Sequence, residues 1–247
     1  MKLALLADLH ANLEAVTACL AHARAQGADA HAFLGDLVGY GADPGPVLEI
    51  VARHAADGAV VVRGNHDTAA ASGSGDTMDR QAESAIEWTR GRLGAGERAF
   101  LEALPLVVRR EDMCFVHASA AHPEEWAYVD DATRAGESLA SAAASYVFCG
   151  HVHVPALYYT GPRGRPLPFQ PVPGVPVPVP AHRSWLAVVG SCGQPRDANT
   201  AACYALADRS RRTLTFFRVP YDWRTAAAKV RAAGLPERLA RRLERGQ

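Results

Sequence analysis

The stretch Leu3-Ala4-Leu5-Leu6-Ala7-Asp8-Leu9-His10 runs from apolar residues directly into an Asp-x-His motif. A short apolar run that stops at polar residues predicts a buried β-strand with chemistry-bearing side chains at its end. Apolar residues then recur at helical spacing from Leu13 to about Ala25. This part of the chain therefore predicts a strand followed by a helix.

Further motifs of the same kind follow later hydrophobic runs. They are Gly35-Asp36, Gly64-Asn65-His66-Asp67, His117 and Gly150-His151-Val152-His153. Strands are predicted over 30–34, 59–62, 107–108, 114–116, 146–149, 156–160, 185–190, 202–207 and 213–219, and helices from Asp43-Pro44 and over 78–92, 96–104 and 133–144. Gly73-Ser74-Gly75 predicts a mobile loop. The alternation of strands and helices predicts an α/β layered fold.

The polar residues of these motifs are carboxylates, one amide and several imidazoles, without a cysteine. This is the ligand chemistry of a two-metal hydrolytic site. Asp36 is the candidate bridge, because a carboxylate can reach two ions where an imidazole generally cannot. Asp8 and His10 stand two residues apart at a predicted strand end, where both side chains can point the same way. His151 and His153 repeat this spacing.

Length and charge favour one domain that spans residues 1–247 and has no general affinity for polyanions. The 26 basic and 26 acidic residues cancel, which argues against nucleic-acid polymers and membrane surfaces as partners. The five cysteines are odd in number and scattered through apolar runs, as expected of reduced thiols in the cytoplasm. Neither a signal segment nor a membrane span is predicted.

Two segments have a distinct composition. Residues 161–182 contain eight prolines, which cannot donate the hydrogen bonds of a central strand, so we expect an extended surface loop. It is a stiff connector, with a partner-binding segment or a lid over the active site as alternatives. Residues from about 222 to 247 predict one or two amphipathic helices with a solvated basic face, and an RNA contact is the alternative.

In their order and local contexts, these motifs resemble the calcineurin-like metallophosphoesterases, most closely the small bacterial and archaeal phosphoesterases and phosphodiesterases. Two stretches are typical of that family: Gly35-Asp36-Leu37-Val38-Gly39-Tyr40-Gly41 and Gly190-Ser191-Cys192-Gly193-Gln194-Pro195-Arg196-Asp197. Cys192 departs from the expected valine but is not a ligand position. The resemblance covers nearly the whole chain and implies a four-layer αββα sandwich with two mixed β-sheets.

The resemblance also implies a role for each site residue. Asp8, His10, Asp36 and His153 would hold one divalent ion, and Asp36, Asn65, His117 and His151 the second. Manganese is the first choice for both, with iron, zinc, nickel, cobalt and magnesium as alternatives. His66 would stabilise or protonate the leaving group, and Asp67 would orient that ring or serve as a structural turn residue. Arg196, Tyr40 and Asn65 would contact the substrate.

The implied activity is hydrolysis of a phosphate ester through in-line attack of a metal-bridging hydroxide. Charge balance favours small phosphodiesters or phosphoanhydrides as substrates. Phosphomonoesterase, protein phosphatase and nuclease remain alternatives, as does a non-catalytic scaffold of the same fold. A scaffold predicts missing ligands, whereas every ligand position of the family pattern is filled in this sequence.

Overall fold

The computed structural model describes residues 1–73 and 79–247, apart from the side chain of Arg163. Part of the loop predicted at Gly73-Ser74-Gly75 lies outside these ranges. Residue 78, where a helix was expected to begin, also lies outside them. Within the described residues the strands are β1 (Lys2–Leu6), β2 (Ala30–Leu34), β3 (Val60–Val62), β4 (Val107–Arg110), β5 (Met113–Val116), β6 (Tyr146–Cys149), β7 (Ala156–Thr160), β8 (Pro166–Phe169), β9 (Val177–Pro178), β10 (Trp185–Val188), β11 (Ala202–Asp208) and β12 (Thr213–Val219).

The α-helices of the same residues separate these strands or follow them. They are α1 (Leu13–Ala25), α2 (Pro44–Ala56), α3 (Asn65–Ser72), α4 (Arg80–Arg90), α5 (Ala95–Ala103), α6 (Ala132–Ala142), α7 (Trp223–Ala232) and α8 (Glu237–Arg245). Short 3-10 turns occupy Pro123–Glu125 and Pro162–Gly164. No helix in the described ranges has both the length and the apolar character needed to cross a membrane.

The described strands form two six-stranded sheets, and both sheets are mixed. The first has the order β3-β2-β1-β11-β12-β9, with β1, β2 and β3 parallel and β11 antiparallel to β1. The second has the order β4-β5-β6-β10-β7-β8, with β5, β6 and β10 parallel. Because parallel strands end at the same edge of a sheet, the motif loops after β1, β2 and β3 converge, and those after β5 and β6 do too.

The four layers follow from the alternation of side chains along the strands. Leu3 and Leu5 of β1 face the second sheet and pack in a buried cluster that includes Phe115 and Phe148. Ala4 and Leu6 face outward, in the buried cluster that holds the apolar side of α1 and α2. A third cluster lies between the outer face of the second sheet and α6. The sequence-based prediction of an αββα sandwich is therefore confirmed.

At the start of α2, Asp43 binds a distant lysine instead of capping the helix. Asp43 occupies the N-cap position of α2, but its carboxylate makes no capping hydrogen bond. It instead accepts from the Lys229 ammonium group of α7 at 2.9 Å, and Lys229 also binds Glu14 of α1 at 2.5 Å. This cluster holds the C-terminal helices against the loops that follow β1 and β2.

The proline-rich segment 161–182 contains more β-structure than the sequence suggests. It contributes β8 to the edge of one sheet and β9 to the edge of the other. Prolines are tolerated there because an edge strand leaves half of its N–H positions unpaired. Trp185 donates its indole N–H to the Pro180 carbonyl at 3.0 Å, and the Tyr146 hydroxyl donates to the Val179 carbonyl at 2.8 Å. These contacts lie at the starts of β6 and β10, which is the edge opposite to the motif loops.

Candidate metal centre

The candidate ligands all lie in loops or helix starts that follow the C-terminal ends of strands. Asp8 and His10 follow β1, Asp36 follows β2 and Asn65 begins α3 after β3. His117 follows β5 at once, and His151 and His153 follow β6. The two sheets therefore present their ligands to one point between their edges.

Asp8 and His10 meet in one ligand cluster, but they do so from a loop and not as residues of an extended strand. Strand β1 ends at Leu6, and five of the candidate ligands have left-handed backbone conformations with φ between 46° and 67°. These are Asp8, His10, Asp36, His151 and His153. Each such residue costs roughly 1 kcal/mol or more relative to an ordinary conformation. Backbone strain is thus concentrated at this site.

The first ligand set consists of Asp8, His10, Asp36 and His153, whose ligand atoms all lie within 4.8 Å of one another. The Nε2 atoms of His10 and His153 are 3.1 Å apart. Asp8 Oδ1 lies 3.5 Å from His153 Nε2, and Asp36 Oδ2 lies 3.7 Å from His10 Nε2. All four side chains are buried.

The second set consists of Asp36, His117 and His151, and Asn65 joins it. His117 Nε2 lies 3.4 Å from Asp36 Oδ2, 3.1 Å from His151 Nδ1 and 3.2 Å from Asn65 Oδ1. The same oxygen of Asp36 therefore faces both sets. The structure brings together the two groups that the family resemblance implies, with Asp36 between them.

The donor set of the first group fits a cation. Burial lowers the pKa of His10 and of His153 well below the usual value, so both rings are neutral. Their Nδ1 atoms donate to the carbonyl oxygens of Val38 and Gln194 at 3.2 Å and 2.6 Å, respectively. The two Nε2 atoms therefore carry lone pairs that face each other, beside a carboxylate. A divalent ion satisfies such a cluster of acceptors.

Burial and mutual attraction also shift the pKa values of the other candidate ligands. Burial raises the pKa of Asp8 to about 7 and lowers that of His151 to about 3. Burial opposes charge on Asp36 and His117 as well, but their attraction holds the pKa of Asp36 well below its usual range and raises that of His117 to about 9. A divalent cation reverses the shifts of Asp8 and His117, because it favours ionised carboxylates and neutral imidazoles.

Close backbone approach fixes the two carboxylates. The His66 N–H donates to Asp36 Oδ1 at 2.9 Å, and a Cβ on Gly64 would lie 2.2 Å from that oxygen. The His151 N–H donates to Asp8 at 3.0 Å, and a Cβ on Gly150 would lie 2.7 Å from Asp8 Oδ2. Glycine is needed at 64 and 150 because any side chain would displace a carboxylate.

Of the two roles expected for Asp67, its contacts support the structural one. Its Oδ1 atom accepts the N–H groups of Leu37 and Val38 at 2.8 Å and 3.2 Å, and its Oδ2 atom accepts that of Gly64 at 2.9 Å. Both oxygens are thus engaged by the backbone, and they join the start of α3 to the loop that carries Asp36. Asp67 positions a ligand loop instead of orienting the His66 ring.

His66, Tyr40 and Arg196 line the cleft that opens onto the metal ligands. The cleft has a volume of about 330 Å³ and is lined by Asp36, Tyr40, Asn65, His66, Asp79, Ala82, Glu125, Trp126, Tyr128, His151, His153, Arg196 and Arg242. His66 Nε2 lies 4.0 Å from Asp36 Oδ2, and its Nδ1 atom has no hydrogen-bond partner among the described residues. All three side chains therefore lie beside the metal ligands in this cleft.

Three residues of the cleft could not be assigned to it from the sequence. Tyr128 is 44% exposed, and its ring stacks on His151 at 4.2 Å. Trp126 packs edge-on against His117 at 5.9 Å, and Arg242 arrives from α8. None of them belongs to a motif, because each reaches the cleft through the tertiary fold. The described side chains of residues 161–182 do not line the cleft, and β8 and β9 lie at sheet edges, which argues against the lid alternative.

Comparison with known proteins identifies the family. The sequence profile of the calcineurin-like phosphoesterase superfamily domain matches residues 1–212. This chain belongs to that superfamily. A metallophosphoesterase structure from Sphaerobacter thermophilus is 33% identical, with a TM-score of 0.88 over 100% of this chain and 99% of that one. The matched range contains every candidate metal ligand but ends before α7 and α8.

Two further relatives span the same length. An uncharacterized protein of Methanocaldococcus jannaschii is 31% identical over 99% of this chain and 98% of its own. A hypothetical protein from Pyrococcus horikoshii is 19% identical, with a TM-score of 0.78 over 100% of this chain and 98% of that one, and shows the shared fold. As a calcineurin-like phosphoesterase with clustered buried metal ligands, the chain is a phosphoester hydrolase.

The position of Asp36 predicts how metal content responds to substitution. Asp36→Asn should reduce the occupancy of both metal positions, because its Oδ2 atom faces both ligand sets. Asn65→Ala should mainly lower the metal occupancy of the second position, because Asn65 adjoins that ligand set alone. Elemental analysis of the purified variants checks this prediction. Two fully occupied positions in Asp36→Asn would contradict the bridging role.

Close packing predicts a matched pair of glycine variants. Gly64→Ala should release bound metal, because the new methyl group occupies the place of Asp36 Oδ1. Gly96→Ala in α5 meets no atom within 4 Å and should stabilise the protein by up to about 1 kcal/mol, because alanine is the better helix former. Metal content and urea unfolding of both variants test the pair. Full metal occupancy in Gly64→Ala would refute the steric argument.

Proposed function

We propose that this protein hydrolyses small phosphodiesters or phosphoanhydrides with two divalent metal ions. The observation that carries the proposal is the single buried carboxylate of Asp36, which faces the Nε2 atoms of both His10 and His117. A carboxylate between two sets of metal-ligating side chains suits a pair of ions better than one ion. Manganese is the first choice, with iron, zinc, nickel, cobalt and magnesium compatible with the same ligands.

When bound, the ions supply positive charge to the phosphoryl oxygens and lower the pKa of coordinated water toward neutrality. Hydrolysis adds water across the P–O bond, so that hydroxide joins phosphorus and a proton goes to the departing oxygen. The residues of the chain must place the ester in line and supply that proton. Asn65 lies at both the metal set and the cleft, where its amide can orient a phosphoryl oxygen.

His66 is the proposed proton or hydrogen-bond donor to the leaving oxygen. Its ring lies beside Asp36 but belongs to neither ligand cluster. It packs against Tyr40 at a ring distance of 4.4 Å, and the glycine at position 39 leaves room for it, because a Cβ there would lie 2.6 Å from His66 Nδ1. These contacts hold the imidazole at the floor of the cleft.

The size and the walls of the cleft support a small substrate. Its volume of about 330 Å³ lies at the lower end of the range for sites that enclose small ligands. Tyr128 and Trp126 form an aromatic wall beside the second ligand set, which suits a flat organic group on a phosphate ester. Zero net charge gives no steering of a long polyanion.

The proposal includes a cytoplasmic location and a catalytic role, as opposed to that of a scaffold. All five cysteines are buried free thiols, which supports a reducing compartment such as the cytoplasm. A scaffold would not require the strained, buried ligand loops that the chain maintains.

The proposed activity predicts manganese-dependent hydrolysis of bis(4-nitrophenyl) phosphate. Chelation should abolish turnover, and added manganese should restore it, because the ligands exchange divalent ions. Release of 4-nitrophenolate measures the rate, and 4-nitrophenyl phosphate and a long RNA serve as comparison substrates. Rapid cleavage of the RNA with a steep salt dependence and negligible diester turnover would favour the nuclease alternative.

His66→Asn separates catalysis from metal binding. Turnover should fall by about two to four orders of magnitude while metal content stays unchanged, because the ring donates to the leaving oxygen from outside the ligand clusters. The loss should be smallest for esters of 4-nitrophenol, whose leaving oxygen needs little protonation. Steady-state rates and elemental analysis provide the measurements. Loss of metal from this variant would place His66 among the ligands.

A further inference from the structure

Two arginine side chains from distant parts of the chain meet at one side of the cleft. Arg196 lies in the loop between β10 and β11, and Arg242 lies on α8. Both guanidinium groups donate to the Oε1 atom of Gln194, at 3.1 Å and 3.4 Å. Each guanidinium carbon also lies 5.9 Å from the centroid of the Tyr40 ring. Shared contacts with Gln194 and Tyr40 therefore hold the two cations side by side.

This arginine pair lacks a neutralising partner. Among residues 1–73 and 79–247, neither guanidinium forms an ion pair with a carboxylate, and the buried Nε atom of Arg196 has no hydrogen-bond partner. Asp197 pairs instead with Arg218. Burial and the neighbouring charge of Arg196 lower the pKa of Arg242. Two like charges held together at half-buried positions are unfavourable unless an anion joins them.

Gln194 also connects the pair to the metal ligands. Its side-chain oxygen accepts from both arginines, while its backbone carbonyl accepts from His153 Nδ1 at 2.6 Å. Gln194 is itself buried, and its N–H donates to the Ser191 hydroxyl at 2.8 Å. One rigid residue therefore fixes the arginines next to the first ligand set. An anion on the arginine pair would share the cleft with the reacting phosphate.

We propose that Arg196 and Arg242 form a second anion subsite, which binds a phosphate group other than the one that is hydrolysed. The subsite rests on the proposed function and narrows its substrate class to compounds with two or more phosphate groups, such as phosphoanhydrides and bisphosphates. Guanidinium forks bind phosphate oxygens in pairs, and each charged hydrogen bond is stronger than a neutral one. A simple diester would leave the subsite unused.

The nearby acidic groups are compatible with this assignment. Asp79 also lines the cleft, but its carboxylate accepts the N–H groups of Gln81 and Ala82 at the start of α4, both at 2.9 Å. The Asp79 carboxylate thus caps a helix, and it attracts Arg242 across the cleft without forming an ion pair with it. Arg241, the neighbour of Arg242 on α8, points away and pairs with Glu237 at 3.2 Å. It provides a control that removes the same charge from the same helix.

Calorimetry on the full-length, manganese-loaded protein tests the subsite without turnover. The probes are inorganic phosphate and bis(methylene)triphosphonate, whose P–C–P links cannot be hydrolysed, at fixed free manganese. Arg242→Gln and Arg196→Gln should each raise the Kd of the triphosphonate by roughly tenfold or more, with a smaller effect on phosphate. Arg241→Gln should change neither Kd by more than about twofold.

Equal triphosphonate affinity in the wild type, Arg242→Gln and Arg241→Gln would overturn the subsite. Arg242→Lys keeps the charge without the fork, so an intermediate affinity would support binding through guanidinium geometry. Circular dichroism identifies any variant that fails to fold, and Arg196→Gln then carries the test. Turnover of bis(4-nitrophenyl) phosphate by the wild type tests the proposed function separately, because that substrate has one phosphate group.

Discussion

The carboxylate of Asp36 is the constraint on which the rest of the site depends. Its Oδ2 atom lies 3.7 Å from Nε2 of His10, which follows β1 of the first sheet. It lies 3.4 Å from Nε2 of His117, which follows β5 of the second sheet. Its Oδ1 atom is held by the His66 N–H, and the loop around it is tied down by Asp67. An ionised group at this depth is stable only with positive charge nearby. The packing of the two sheets and the demand for cations are therefore linked at one residue.

Much of the fold and of the ligand set could be predicted from local sequence. Short apolar runs that stop at polar motifs mark strand ends, and they place Asp8, Asp36 and His151 just after such runs. The family resemblance added the partition into two ligand sets, and the structure brings those same side chains together. The strand ends are predictable because each depends on a few consecutive residues.

Other features depend on contacts between distant residues and left no local pattern. Asp43 has the sequence of a helix cap, but Lys229 takes its carboxylate. The prolines of 161–182 were expected to exclude a central strand and to give an extended surface loop, but an edge strand needs only alternate N–H groups, and the segment forms two such edges. Tyr128 and Arg242 reach the cleft from a loop and from the C-terminal helix. Periodicity reports which face of an element is buried, but it does not report which distant element meets it.

Metal binding and the proposed substrate contacts depend partly on different elements of the chain. The ligands come from loops bound tightly to the sheets, with left-handed backbone conformations and glycines that tolerate no side chain. The side chains proposed to contact the rest of a substrate come partly from such loops, as Arg196 and Tyr40 do, and partly from residues 123–131 and from α8, which lies beyond the matched range 1–212. Changes in the latter elements can alter the substrate without disturbing Asp36 and its neighbours. Under the proposed function, the loops at the sheet edges carry the chemistry, and the elements that pack against them contribute to selectivity.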